Sequence, residues 1–133
     1  MINTISTSVS GLMAAGKKMS VAANNIANVS TVGSLDPSAP EQPYHALTTV
    51  DQSTAGGGVQ TVSLERNPPF FPIYSPDSPF ADAEGLVGAP NVNLDEELTK
   101  TILAKQSYTA NAKVIGMSQR MRESLMDAID QKV

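Results

Sequence analysis

The chain has 133 residues, a formal net charge of −4 and no cysteine. This length suits one modest domain, the negative charge argues against a nucleic-acid partner, and the lack of cysteine excludes disulfides and Cys-ligated metals. No apolar run approaches the roughly 18 residues of a membrane span, and no basic segment followed by an apolar one marks a cleaved secretory signal.

Residues 1–30 contain no proline and predict a long helix. Apolar side chains recur every seven positions at Ile5, Leu12, Met19 and Ile26, and a second heptad row comprises Ile2, Val9, Gly16 and Ala23. Two such rows form the seam along which helices pair in coiled coils. An amphipathic helix on an ordinary core is the alternative. We predict a helix from about Ile2 to Asn28 whose seam contacts a second helix.

This helix ends in a polar run with Asn24, Asn25 and Asn28. Asparagine is a poor helix former, because its amide competes for backbone hydrogen bonds. The last turn of a helix leaves carbonyl groups without partners, and an amide supplies both donors and acceptors. We therefore hypothesise that these three amides bond to the chain end and to adjacent subunits.

The centre of the chain, residues 31–90, holds all nine prolines. Residues 44–50 and 59–64 are rich in Val, Thr and Leu, and the glycine-rich run DQSTAGGG separates them, so we predict a β-hairpin with a long tip. The run NPPFFPIYSPDSPF at 67–80 has five prolines. We predict that it is extended and polyproline-like, and that it wraps over another surface.

A second helix is predicted from a cap at Asn93 to about Gln131. Asp95, Glu96 and Glu97 lie in its first turn, where the helix dipole favours negative charge. Its apolar stripe includes Leu98, Ile102, Val114, Met117, Met121 and Leu125.

The predicted class is therefore α+β. Two long terminal helices, in residues 1–30 and 91–133, pair as an antiparallel coiled coil around a central hairpin and a Pro-rich extended segment in residues 31–90. Two helices paired along one seam bury little apolar area, and this area barely offsets the entropy of the chain. We expect them to be unstable alone and to become ordered when subunits pack together.

No group of residues indicates catalysis. His45 is the only histidine, and the glycine run at 56–58 lacks the spacing of a phosphate-binding loop. The acids Asp77, Asp82 and Glu84 lack the spacing of a calcium loop. We predict that the chain is not an enzyme and has no catalytic, metal-binding or cofactor-binding residues.

Three blocks in order resemble bacterial flagellar axial proteins. The first matches an (S/N)N(I/L)AN-x-x-T-x-G motif at Asn24, Asn25, Ile26, Ala27, Asn28, Thr31 and Gly33. The second is similar to the central block of the FlgC family of proximal rod proteins, and its matching residues include Asp82, Gly85, Pro90, Asn91, Val92 and Asn93. The third resembles the family's closing helix at Tyr108, Ala110 and Asn111.

The resemblance implies a structural subunit of the basal-body rod, the shaft that transmits motor torque. It implies export by the flagellar type III apparatus without a cleaved signal peptide, and a location in the rod within the periplasmic space. The implied partners are other proximal and distal rod proteins, the rod-base adaptor, the export apparatus and copies of the chain itself. Two alternatives are another flagellar axial subunit and a cytosolic coiled-coil export chaperone or adaptor.

Overall fold

Two long helices and two small β-hairpins make up the computed structural model, which describes residues 2–130. The elements in chain order are α1 (Ile2–Ala27), β1 (Leu47–Ser53), β2 (Val59–Glu65), β3 (Phe70–Tyr74), β4 (Leu86–Pro90) and α2 (Leu94–Asp130). The predicted α+β class is confirmed. The side chain of Ile2 and the predicted helix end at Gln131 lie outside the described residues.

The two helices pack against each other in antiparallel directions. Gly11 lies against the side chain of Asn111, while Ala22 and Ala104 line a common cleft further along. The helices contain 26 and 37 residues, which correspond to about 39 and 55 Å at 1.5 Å per residue. The start of α1 therefore lies opposite roughly residue 120, and the last turns of α2 extend beyond it.

Small residues form the most buried positions of α1. These positions are Ser8, Ala14, Ala15, Val21, Ala22 and Asn25. Small side chains allow α2 and the first hairpin to approach the α1 backbone closely. The predicted heptad row of Ile5, Leu12, Met19 and Ile26 is only half-buried and lies beside these positions.

The first predicted hairpin is present, with a shorter tip than expected. β1 and β2 pair antiparallel from Leu47 opposite Glu65 to Ser53 opposite Val59. The strand therefore begins at Leu47 rather than at Tyr44, and the tip is confined to residues 54–58. Gly57 and Gly58 adopt positive φ angles there, which glycine tolerates without steric cost.

The Pro-rich segment contains a strand that sequence reasoning missed. β3 pairs antiparallel with β4, from Phe70 opposite Pro90 to Tyr74 opposite Leu86. Pro72 is tolerated because its partner Gly88 forms its backbone hydrogen bonds with Gly33 instead. Gly88 N–H donates to the Gly33 carbonyl oxygen at 2.9 Å, and the Gly88 carbonyl oxygen accepts from the Gly33 N–H at 3.0 Å. A polyproline-like conformation over the whole of residues 67–80 was therefore wrong, although β3 is an edge strand, where proline is tolerated.

Candidate assembly surface

Asn25 joins the end of α1 to the first hairpin. Its side chain is fully buried, and its Nδ2 donates to the carbonyl oxygen of Leu47 at 2.8 Å. Its Oδ1 accepts from the Leu47 N–H at 2.9 Å and from the Tyr44 hydroxyl at 3.0 Å. The amide thus bonds to the first residue of β1 as a neighbouring strand would. Burial, and secondarily the charge of Glu97, raise the pKa of Tyr44, which keeps the phenol protonated as a donor.

The other two asparagines differ in role. Asn28 Nδ2 donates to the Asn24 carbonyl oxygen at 2.9 Å, and Asn28 Oδ1 accepts from the Thr31 hydroxyl at 3.2 Å. The same carbonyl oxygen also accepts from the Asn28 backbone N–H at 3.1 Å, so the Asn28 amide adds a second hydrogen bond to a carbonyl that already has a partner. Asn24 and Ala27 are exposed, and Ile26 is half-buried. Contacts of these residues with adjacent subunits stay a prediction.

A buried ion cluster joins the end of β2 to the first turn of α2. The Glu97 side chain is 1% exposed and contacts Arg66 and, at 3.0 Å, Lys100. Arg66 also binds Glu96 at 3.0 Å and donates to the Asn91 carbonyl oxygen at 3.2 Å. Hydrogen bonds from Lys100 and then Arg66 lower the pKa of Glu96. Sequence reasoning missed this cluster, although Arg66 is the single base between residues 31 and 90.

An exposed ion pair is a further contact between α1 and the first hairpin. Lys18 Nζ lies 2.6 Å from Asp51 Oδ2, and the Thr61 hydroxyl donates to Asp51 Oδ1 at 2.7 Å. These two hydrogen bonds lower the pKa of Asp51, with the Lys18 bond as the larger cause. The pair borders a cleft of about 310 Å³ between α1, β1 and α2.

The matched residues of the central block shape the backbone before α2. Asp82 Oδ1 accepts from the N–H groups of Glu84 at 3.0 Å and Leu86 at 2.7 Å, which closes the turn into β4. Gly85 has a φ of 77° in this turn. These two residues therefore set the conformation of the second hairpin, whose connection was not recognised from sequence.

The end of the central block positions the start of α2. Pro90 is buried at the end of β4, and Asn91 Nδ2 donates to the Pro68 carbonyl oxygen at 2.8 Å. Val92 N–H donates to the Pro90 carbonyl oxygen at 2.8 Å. Asn93 Oδ1 accepts from the N–H groups of Asp95 and Glu96 at 3.0 and 3.2 Å, which is the predicted N-cap.

The outer faces of α2 carry the largest exposed apolar surface among the helices. Only Glu97 and Ala104 of this helix are buried. The predicted packing residues are between 38% and 65% exposed, and they are Leu98, Ile102, Val114, Met117, Met121 and Leu125. Within residues 2–130 these side chains have no cover of the kind that a core supplies. They form a candidate surface for contact with other subunits.

The remaining polar features give no second candidate site. His45 Nδ1 lies 3.2 Å from Glu65 Oε2, and its ring packs against Phe70 with 5.3 Å between centroids. Across the described residues, no three acidic or histidine side chains are grouped as a metal would require. No helix in this part of the chain is long and apolar enough to cross a membrane.

Comparison with known proteins places both helical ends in one class. A family model of flagella basal body rod proteins matches residues 5–33. A second model, of the C-terminal region of flagellar basal body rod FlgEFG proteins, matches residues 83–128. The two matches cover most of α1 and nearly all of α2. They define the class as flagellar basal-body rod proteins.

Relatives that match nearly the whole chain identify its family within this class. The flagellar basal-body rod protein FlgC of Salmonella typhimurium is 36% identical over 127 residues, covering 91% of this chain and 92% of the relative. FlgC of Borreliella burgdorferi is 32% identical, with 95% of each chain covered. FlgC of Aquifex aeolicus is 28% identical over a similar share. The chain belongs to the FlgC family of proximal rod proteins. It is therefore a structural subunit of the flagellar basal body and not an enzyme.

Proposed function

We propose that α1 and α2 build the chain into the rod by packing as coiled coils with the helices of neighbouring subunits. In this arrangement the helices form a tube, and the two hairpins lie outside it. The observation that carries the proposal is the exposed apolar surface of α2, where two of 37 residues are buried. A helix with so little buried area gains its stability from packing against other helices.

The size of this surface makes assembly favourable. Fully burying an exposed Leu, Ile or Met side chain contributes about 1.5–3 kcal/mol. Six predicted packing residues on α2 are exposed in the single chain. Neighbouring helices that covered them would supply the ordering free energy that the isolated chain lacks. Many such contacts around a tube would also distribute shear, as a shaft that transmits torque requires.

The folded chain depends on its N-terminal helix. α1 supplies most of the buried positions of the helix pair, and Asn25 ties it to the hairpin. Loss of α1 would remove this core. The proposed route, which rests on membership of the FlgC family, is the flagellar type III apparatus, without a cleaved signal peptide, into the periplasmic space. The proposed partners are the export apparatus, copies of this chain, other proximal and distal rod proteins and the rod-base adaptor.

The second hairpin is proposed to contact a neighbouring subunit. Phe71, Ile73 and Tyr74 on β3 are exposed, and β3 pairs on one edge only, with β4, among the described strands. An exposed apolar edge strand of this kind is a surface for another chain. In the rod, this segment would hold one subunit against the next.

A pair of matched variants tests the proposal. Met117→Asp with Met121→Asp places two charges on the exposed face of α2. Val50→Asp with Leu64→Asp places the same two charges on exposed positions of the first hairpin. We expect the α2 variant to be missing from purified basal bodies and its cells to be non-motile, because buried unpaired charges oppose packing. We expect the hairpin variant to assemble.

Intact-mass spectrometry of the purified basal bodies supplies the readout. The unaltered chain should be present there with residue 1 or 2 as its first residue. Normal assembly of the α2 variant would contradict the proposed role of this helix. A chain found only in the cytosol would contradict the rod location itself.

A further inference from the structure

Two separate apolar stripes lie on the outer surface of α2. The early stripe is Leu94, Leu98 and Ile102, and the late stripe is Val114, Met117 and Met121. All six side chains are at least 38% exposed. With 3.6 residues per turn, the two stripes lie roughly 130° apart around the helix, and both lie away from the side that faces α1. Each copy of the chain therefore offers two different apolar faces.

Charges of opposite sign lie beside the first half of the early stripe and beside the late stripe. Asp95 precedes Leu98 by three positions, so it lies beside the early stripe. Lys113 precedes Met117 by four positions and Arg120 follows it by three, so both lie beside the late stripe. Within residues 2–130, none of these three charged residues belongs to an ion pair. Lys105, three positions after Ile102, places a base at the far end of the early stripe, so the two stripes are complementary in charge at the Asp95 end.

Heptad positions define how the stripes fit together. In the early stripe Leu94, Asp95 and Leu98 take positions d, e and a. In the late stripe Val114 and Met121 take position a and Met117 takes position d. Lys113 and Arg120 take position g beside them. Apolar a and d residues form the layers of a coiled coil, and e and g charges pair across it. In parallel helices, position g of one helix faces position e of the other.

We infer that the late stripe of one copy packs in parallel on the early stripe of a second copy. The layers are Met117 on Leu94 and Met121 on Leu98, and Lys113 faces Asp95 across their edge. In each layer the two residues differ by 23 positions, so the two copies are offset by about 35 Å along the helix axis. This inference rests on the proposed function, since it names the partner face for the exposed surface of α2.

This contact favours a continuing array over a closed dimer. Its two faces differ, so every copy keeps one free face of each kind after pairing, and further copies can be added. Antiparallel pairing of two late stripes would bring g positions together, and Lys113 and Arg120 of both copies would repel. The charges thus disfavour this symmetric antiparallel dimer, and the parallel contact keeps all subunits pointing the same way along a shaft.

Engineered cysteines test the contact, because the natural chain has none. Cells would carry Leu98→Cys with Met121→Cys in a single chain that replaces the unaltered one. The two positions lie about 35 Å apart on one helix, so they cannot form an internal disulfide. After oxidation, basal bodies should yield a ladder of disulfide-linked dimers, trimers and higher multimers on non-reducing gels.

A one-heptad shift supplies the matched control. Val114 occupies the same heptad position as Met121, about 10 Å earlier on the helix. Leu98→Cys with Val114→Cys should therefore give about tenfold less ladder, because disulfides require Cβ atoms near 4 Å. Leu94→Cys with Met117→Cys tests the other layer and should give the ladder if the first pair impairs incorporation.

Charge reversal completes the test. Lys113→Glu in the Leu98→Cys, Met121→Cys chain should reduce the ladder about three- to tenfold, and adding Asp95→Lys should restore it. Basal bodies that contain normal amounts of both cysteine pairs without a ladder would overturn the inference and leave the rod assignment intact. So would equal ladders from the Val114 control, or no restoration by Asp95→Lys. Absence of the unaltered chain from basal bodies would instead overturn the proposed function.

Discussion

The two helices of this chain have opposite relations to the rest of the molecule. α1 has six buried positions among its described side chains at residues 3–27, most of them small, and it contacts α2 and both strands of the first hairpin. α2 has two buried positions in 37 residues, and one of them is the charged Glu97. The chain therefore uses α1 to build its own core. It leaves most of α2 exposed, as the proposed packing between subunits requires.

Hydrogen exchange would give the largest contrast between the helices. Local opening free energies range from near zero at fraying ends to the global value in cores. In the purified chain we expect amides of residues 14–25 to exchange on the order of a hundredfold more slowly than those of residues 120–130. Mass spectrometry of peptides from both helices would measure this ratio. Equal protection along α1 and α2 would show that the contrast in burial has no energetic counterpart.

The ion cluster around the Glu97 side chain is the place where α2 contributes to the core. Breaking this cluster should cause the largest loss in the free energy of unfolding. Arg66→Met removes one partner of Glu97, whose side chain is 1% exposed. We expect a loss of about 3 kcal/mol in the free energy of unfolding, since the buried Glu97 carboxylate then keeps only the more exposed Lys100 as a charged partner. Urea unfolding followed by circular dichroism would measure it.

A second variant separates charge from packing. Arg66→Met with Glu97→Met removes both charges, and it should be more stable than Arg66→Met alone, because no buried carboxylate remains. A double variant less stable than the single one would mean that packing around Arg66, rather than its charge, holds the first hairpin against α2.

Asn25 should show the next largest effect, on the α1 side of the comparison. Asn25→Ala leaves the Leu47 N–H, the Leu47 carbonyl and the Tyr44 hydroxyl without this partner. We expect a loss of about 2–3 kcal/mol in the free energy of unfolding, measured by urea. Asn24→Ala is the control, because the Asn24 side chain is exposed, and it should change stability by less than about 0.5 kcal/mol. Equal losses of stability in the two variants would contradict the conclusion that the Asn25 hydrogen bonds stabilise the junction of α1 and the first hairpin.

Periodicity and turn chemistry predicted the larger elements of the fold. Heptad spacing and the absence of proline predicted α1, and the Asn93 cap with three following acids predicted the start of α2 to within one residue. The glycine run marked the tip of the first hairpin. These signals are local, because each depends on residues a few positions apart.

What the sequence did not reveal depends on residues far apart in the chain. β3 was missed because proline argues against a strand, and its tolerance at Pro72 depends on Gly88 bonding to Gly33 instead. The Arg66 cluster joins residues about thirty positions apart, and no spacing rule marks it. The most buried row of α1 was also not evident, since apolar size favoured Ile5, Leu12, Met19 and Ile26. In the structure, small residues occupy the most buried positions of α1, because they allow α2 and the first hairpin to approach its backbone closely.

The exposed Lys18–Asp51 pair should have the smallest effect, and it tests how far the α1 contact depends on charge. The folded state lowers the pKa of Asp51 below its ordinary value of 3.8. The pair therefore stabilises the fold above that value, and this contribution is lost as the pH falls through the lower, folded-state pKa. The two side chains are 37% and 43% exposed, so solvent screening limits the contribution to less than about 1 kcal/mol.

Asp51→Asn should thus lower the free energy of unfolding slightly at neutral pH, and less in high salt. Below the folded-state pKa of Asp51, where the carboxyl is protonated in both states, the variant and the unaltered chain should be equally stable. A difference that persists there would mean that the hydrogen bond to Thr61, rather than the charge of Lys18, is what Asp51 contributes to the contact between α1 and the hairpin.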